Sequence, residues 1–271
     1  MLEQHRYEDN RNIYVRDYNL LFFKIPKVAI TSIWQISANL LGHNLTQEGH
    51  LRQFRLPSLS SEEIRDSPNV YKVAYVRNPW ERLLSCYLQK KNKHLTAFFQ
   101  KNNLDPNINF EEFARSVCEI PDSESDRHFR SQYTYVFDHE SNLLPDFIGA
   151  FSSFNSDMYK VLNNVGAPQI EIPHYNRIDH GHYTDYFSPE LAKAVGHRYK
   201  LDIDIFGFEY GQPIGEEFYG KWQEPLSTST ENEILSYKAN KLLRCLSHLK
   251  HNSILAPTTL RQRLRILIKG Q

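Results

Sequence analysis

The segment FFKIPKVAITSIW, residues 22–34, runs from an apolar stretch of strand length into apolar residues at helical spacing. A second junction of the same kind, YVRNPWERLLSCY, follows at residues 75–87. A chain that twice passes from a buried strand straight into a helix start is constrained to an α/β architecture. Right-handed crossovers then bring the strand ends and the next helix starts to one rim of a parallel sheet. Ligands of such sheets bind at that rim.

The rest of the chain repeats the pattern. YNLLFFKI (18–25) and VYKVAYV (70–76) read as strands. ITSIWQISANLLG (30–42) reads as a helix that Thr31 or Ser32 can cap and Gly42 can end. NPWERLLSCYLQKK (78–91) is a helix with Asn78 as N-cap and Pro79 at the first position, where a missing N–H costs nothing. NFEEFARSVCE (109–119) is a further helix. Residues 145–166 suggest a strand, a turn and a helix, and SPELAKAVGHRYKLDIDIFGF (188–208) opens with another Ser-Pro helix start. The expectation is a parallel central sheet flanked by helices over residues 1–225, followed by a C-terminal helical, basic extension, 226–271.

Composition removes several function classes. There are 32 Lys plus Arg against 32 Asp plus Glu, so no global field directs the chain to nucleic acid or a membrane. Cys86, Cys118 and Cys245 are odd in number and widely spaced, which fits neither a disulfide framework nor a zinc knuckle. The first ten residues are polar and lack a signal core, and no run of about 20 apolar residues can span a bilayer. The expectation is a cytoplasmic protein. From residue 241 onward there are seven Lys or Arg and no acidic residue, so the tail can pack on the domain or lie as an amphipathic helix at a membrane surface.

Both junctions suit an anion. In the first, the helix start offers unpaired N–H groups and the positive dipole end, Lys27 adds a mobile charge, and Thr31 and Ser32 add hydroxyls. The loop has no glycine, and the triphosphate signature GxxxxGK[ST] occurs nowhere in the chain. The anion therefore needs no magnesium held by such a loop. In the second, Arg77 ends the strand and Ser85 lies two turns along the helix, a pair able to grip a phosphate. Arg82 is placed to pair with Glu81 or with a ligand. Two such loops, about 50 residues apart, fit a ligand with two separated anionic groups.

The pattern Pro26-Lys27 with Thr31-Ser32, followed by Arg77, Pro79, Arg82, Ser85 and Tyr87, resembles the paired cofactor motifs of the sulfotransferases. Residues 26–34, 76–87, HFRSQ (128–132), DFIG (146–149) and YKLDIDIFGF (199–208) resemble the Golgi carbohydrate sulfotransferases that modify chondroitin, dermatan or the HNK-1 glycan. The resemblance covers about residues 18–210 and implies a P-loop-like sulfotransferase fold. The donor it implies is 3′-phosphoadenosine 5′-phosphosulfate (PAPS), with a glycan or other hydroxyl as acceptor and no metal. Carried over by position, Pro26, Lys27, Thr31 and Ser32 would face the phosphosulfate, and Arg77 and Ser85 the 3′-phosphate. The group's membrane anchor and paired cysteines have no counterpart among these residues, and its loop cysteine is Ile30 here, so the expectation from the resemblance is a soluble bacterial-type relative.

Sulfuryl transfer is an in-line displacement, so a protein chiefly positions groups and stabilises charge on the leaving bridge oxygen. Lys27 is the candidate for that charge. A hydroxyl acceptor needs a base, for which His128 is the candidate and His43 and His50 are rivals. Arg130 could hold an anionic acceptor. His180-Gly181-His182 with Asp179 and Asp185 reads as a polar loop rather than a metal site, Asp202-Ile203-Asp204 as structural, and His139-Glu140 lacks the second histidine of a zinc motif. Two alternatives stay open: a nucleotide or sugar kinase, and a protein that binds 3′-phosphoadenosine 5′-phosphate (PAP) or a sulfated ligand without catalysis.

Overall fold

The computed structural model describes residues 12–43, 56–138, 142–172 and 181–212. Expectations that fall on His50, His139-Glu140, Asp179-His180, Cys245 and the extension 226–271 lie outside the described residues.

Four strands form one sheet in the order β1 (Asn12–Val15), β2 (Leu20–Phe23), β3 (Tyr71–Val76) and β4 (Phe147–Ala150). β2, β3 and β4 are parallel, with Phe22 opposite Val73 and Val73 opposite Phe147. The parallel sheet is thus as expected, with one addition: β1 pairs antiparallel to β2 at the edge, Val15 opposite Leu20. Asn19, at a φ of 46°, turns the chain between them. All four β2 residues are buried, as in a strand covered on both faces.

Helices follow the parallel strands. α1 (Ile30–Leu40) follows β2 and α2 (Ser61–Arg65) precedes β3. α3 (Pro79–Asn92) follows β3, and α4 (Thr96–Lys101) and α5 (Phe110–Glu119) follow in turn. α6 (Phe154–Asn164) follows β4, and α7 (Pro189–Arg198) leads directly into α8 (Lys200–Phe206). Local chemistry sets their ends. The Asn78 side chain accepts from Trp80 N–H at 3.2 Å with Pro79 at N1. Asn109 and Glu112 form a reciprocal capping box, and Ser188 accepts from Leu191 N–H. Gly42, at a φ of 78°, ends α1 in a Schellman turn: His43 N–H reaches Ala38 O at 2.9 Å and Gly42 N–H reaches Asn39 O at 3.0 Å.

The start of α1 departs from expectation. Neither Thr31 nor Ser32 caps it; both are already inside the helix. The N-cap is Ala29 in a left-handed conformation, with no side-chain cap bond. An early turn at Lys27 and Ala29 starts the helix before the hydroxyl residues are reached.

Apolar side chains of α3, α4, α5 and α7 build a core beside the sheet, centred on Leu84, Phe99, Phe113 and Val195. Gly149 is dictated by a close approach: a Cβ there would lie 2.6 Å from the Tyr75 ring. Tyr75 in turn packs edge-on against Phe147 and Phe154, which fixes β4 and α6 against β3. Among the described residues no helix is long and apolar enough to cross a membrane.

Candidate active site

The C-terminal ends of β2 and β3 carry the two junctions to the same rim, and the junctions are tied together there. Arg82, buried and 1% exposed, donates from Nε to Pro26 O at 2.9 Å and from Nη1 to Arg130 O at 2.8 Å. Arg77 donates from Nη1 to Lys27 O at 3.3 Å. Two arginines of the second loop therefore grip two consecutive carbonyls of the first. Those grips hold a strained turn: Lys27 has a φ of 73° and Ala29 a φ of 50°. Each left-handed residue with a Cβ costs about 1–2 kcal/mol. The loop curls without glycine because its neighbours over-determine its shape.

This corrects the reading of Arg82. It does not pair with Glu81; it is a buried staple between the Pro-Lys loop and the segment carrying His128. Glu81 instead pairs with Arg77, Oε1 to Nη2 at 2.6 Å, one helical turn away. The Arg77 guanidinium also lies 4.3 Å from the centroid of the Phe151 ring, which follows β4. Three parallel strands thus contribute to the surroundings of Arg77.

Lys27 is half-buried and its Nζ donates to Gln89 Oε1 at 3.0 Å. Burial, together with Arg77, Lys90 and Arg82, lowers its pKa to about 8 against a partial opposing effect of Cys86. Cys86 lies beneath, fully buried, and burial pushes its thiol up to about 11. Cys86 and Cys118 are free thiols. At the start of α1, Ile33 N–H closes the first turn on Ala29 O at 2.9 Å. The amides ahead of it are those a helix leaves without an intrahelical partner. Pro26 and Ser32 are buried, and Thr31 and Ser85 half-buried.

His128 comes to the same region through α3. Its Nε2 lies 3.3 Å from Lys90 Nζ, and its Nδ1 lies 2.6 Å from Asp126 Oδ1. Burial lowers the His128 pKa below the usual histidine value; the Asp126 hydrogen bond opposes this, and Lys90 adds to it. Burial would raise the Asp126 carboxyl, but its hydrogen bonds from the His128 ring and backbone hold it well below the usual range. Arg130 donates from Nε and Nη2 to Ser125 O at 3.2 and 2.9 Å, so its guanidinium shapes the loop that bears His128. His43 sits at the far end of α1, in the turn that ends that helix.

The 122–133 segment is anchored by the closing helices. Arg198 bonds Asp122 at 2.7 Å and Ile120 O at 3.1 Å. Tyr199 Oη donates to Phe129 O at 2.5 Å. Asp202 accepts from Gln132 and Tyr133 N–H, both at 2.8 Å. Asp202 is therefore structural, as its position suggested. Burial raises its carboxyl to about 6, although those two amides and Arg82 pull the other way. His182 Nδ1 meets Thr184 Oγ1, and among the described residues no group of His, Cys, Asp and Glu is arranged to hold a metal.

Sequence alone assigns no role to Lys90, Asp126 or Gln132 and does not show the carbonyl partners of Arg82. Gln132 lies with His128 in HFRSQ, and that segment is the available signal. Lys90 has none, because a lysine late in a helix ordinarily points to water.

The sequence model of the sulfotransferase family matches residues 10–209, and the chain belongs to that family. It is similar to carbohydrate sulfotransferase 11 of Rattus norvegicus and of Mus musculus, each 24% identical over 234 residues, covering 71% of this chain and 65% of theirs. It is also similar to carbohydrate sulfotransferase 14 of Danio rerio, 25% identical over 230 residues, covering 73% of this chain and 62% of that protein. The chain thus spans a little under two thirds of the length of these relatives. No solved structure matches the chain.

Proposed function

We propose that the protein transfers the sulfuryl group of PAPS to a hydroxyl of a carbohydrate acceptor. The observation that carries this reading is the knitting of the two anion loops, Arg77 to Lys27 O and Arg82 to Pro26 O, on one rim of the sheet. A ligand with two anionic ends would bridge them. The names of the similar proteins support the carbohydrate acceptor.

In this reading Lys27 Nζ leaves Gln89 and donates to the bridge oxygen between sulfur and the 5′-phosphate as negative charge grows there. The α1 N-terminus with Thr31 and Ser32 receives the phosphosulfate oxygens. Arg77 and Ser85 hold the 3′-phosphate. His128 takes the acceptor proton at Nε2, and Arg130 adds positive charge on the acceptor side. PAPS supplies the sulfuryl group, and no metal enters the reaction.

Calorimetric titration with PAP, ADP and ATP tests the donor, and incubation with sulfur-labelled PAPS and a panel of glycans tests the transfer. PAP is expected to bind at least tenfold more tightly than ADP, with label moving to a glycan in the presence of chelator. ATP binding with magnesium-dependent phosphorylation would replace this reading with the kinase. Tight PAP binding without transfer to any hydroxyl would leave a binding protein.

A further inference from the structure

His128 is held at both ring nitrogens, and the two partners dictate where its proton sits. Asp126 Oδ1 lies 2.6 Å from Nδ1 and also accepts the His128 backbone N–H at 2.9 Å. An ionised carboxylate only accepts, so Nδ1 carries the hydrogen and Nε2 keeps its lone pair. Facing that lone pair, at 3.3 Å, is Lys90 Nζ, and an ammonium only donates.

Lys90 is 7% exposed, an unusual place for a lysine. Its Nζ lies 4.5 Å from the centroid of the Phe98 ring, and the same ring meets the His128 ring edge-on with centroids 5.7 Å apart. One aromatic side chain of α4 therefore sets both partners. The preceding residue on α3 is Gln89, which accepts from Lys27. Two consecutive residues of one helix thus reach the groups assigned above to the leaving and the attacking side.

We propose that Lys90 is a positioning residue of the transfer: its ammonium, set against Nε2, keeps the His128 imidazole neutral and its lone pair presented, ready to take a proton from the acceptor hydroxyl. This rests on the reading of His128 as the base. The contact is long for a charged donor, so an entering hydroxyl displaces it at little loss. As the acceptor oxygen bonds to sulfur, its proton passes to Nε2. The bond from sulfur to the bridge oxygen breaks, and its electron pair leaves with PAP. The imidazolium then lies between Asp126 and the displaced ammonium, which repels it and speeds loss of the proton to water.

Other charges around the ring do not replace Lys90. From the histidine's own loop, Asp126 favours imidazolium, whereas Arg127 disfavours it. From α4, Lys101 reaches the far oxygen of Asp126 at 3.6 Å and acts through it. Lys24, after β2, is coupled to Arg127.

The test follows the His128 ring signal by NMR across pH in the full chain, assigned by its absence in His128→Gln, for the native protein, Lys90→Met and Lys90→Arg. The acid limb of kcat/KM is measured on the same proteins. Lys90→Met should move the His128 midpoint up by about one unit, the usual scale for a charge this close. The acid limb should move with it, and Lys90→Arg should leave both in place. Lys90→Gln serves the same purpose if the methionine variant does not fold. An unmoved midpoint in the neutral variants, or an equal shift in Lys90→Arg, overturns the proposal while leaving sulfuryl transfer intact. A midpoint that moves while the acid limb stays removes His128 as base, and the proposal with it.

Discussion

Gln132 holds the backbone of Arg77 from both sides. Its Oε1 accepts the Arg77 N–H at 2.9 Å, and its Nε2 donates to the Arg77 carbonyl at 2.8 Å. The same Nε2 lies 3.3 Å from Asp202 Oδ2. A side chain on the histidine segment thus does for the end of β3 what another strand would do. Replacing Gln132 by Ala leaves two buried backbone groups unmatched, each at about 1–3 kcal/mol. We expect unfolding by urea to show a loss of about 2–6 kcal/mol for the two groups together, with PAP binding weakened through misplacement of Arg77. Unchanged stability would mean that water serves both groups equally well.

Arg77 should discriminate for the 3′-phosphate, and its pairing with Glu81 makes a sharper test than deletion alone. Arg77→Ala and Ser85→Ala should weaken PAP by tenfold or more while hardly affecting adenosine 5′-phosphosulfate, which lacks that phosphate. Glu81→Gln removes the competing carboxylate, 2.6 Å from Nη2, and should tighten PAP several-fold. Equal effects on both nucleotides, read by calorimetry, would assign Arg77 to the fold alone.

The pH dependence of kcat/KM should be bell-shaped, since it reports groups of the free enzyme. In the proposed transfer His128 would act unprotonated, and burial lowers its pKa, so the acid limb should fall below the ordinary histidine value of about 6.5. Lys27, its pKa lowered to about 8 by burial, would act protonated in the same proposal, so the rate should decline again as pH rises through that value. Lys27→Ala should remove the alkaline limb and lower turnover by roughly 10²–10³, with a smaller effect on PAP affinity. Initial rates from pH 5 to 10 check both limbs.

Asp202 gives a stability effect of definite sign. Its carboxyl is raised to about 6 in the folded chain, above the unfolded value of about 3.9. The folded state therefore binds the proton more tightly, and the stabilisation this brings is complete below about pH 4 and lost as pH rises through 6. The advantage of the native protein over Asp202→Asn should shrink across that window by on the order of 2–3 kcal/mol. Urea titrations of both proteins at pH 4, 5, 6 and 7 check it. A difference that stays flat would mean the two backbone amides hold the carboxylate ionised throughout.

The fold was legible where local chemistry and tertiary packing agree. β2, β3, α3 and α5 announce themselves by their apolar patterns, and α3 also by its Asn78-Pro79 start. β1 was not legible, because NIYV is too short and mixed to stand out, and its strand character comes from pairing with β2. At the site, Lys27 and Arg77 could be read because each sits at a strand–helix junction. The grip of Arg82 on Pro26 and Arg130, and of Gln132 on Arg77, spans 48 to 56 residues and leaves no periodic trace. The helix start was misjudged because Thr31 and Ser32 have the right chemistry for a cap, whereas backbone geometry imposed by those distant arginines put the turn earlier.

The glycine-free turn at Lys27 and Ala29 also bears on the thermodynamics of ligand capture. A glycine loop wanders when empty and must be frozen when a phosphate arrives, at about 1–2 kcal/mol of backbone entropy per residue fixed. Here the side chains narrow the backbone's choices and two arginines clamp what remains, so the cradle is already set before anything enters it. The freezing was done once, during folding. Ala29→Gly would ease the local strain and return that cost to the binding step, where it would appear as a larger entropic penalty in the calorimetric signature of PAP.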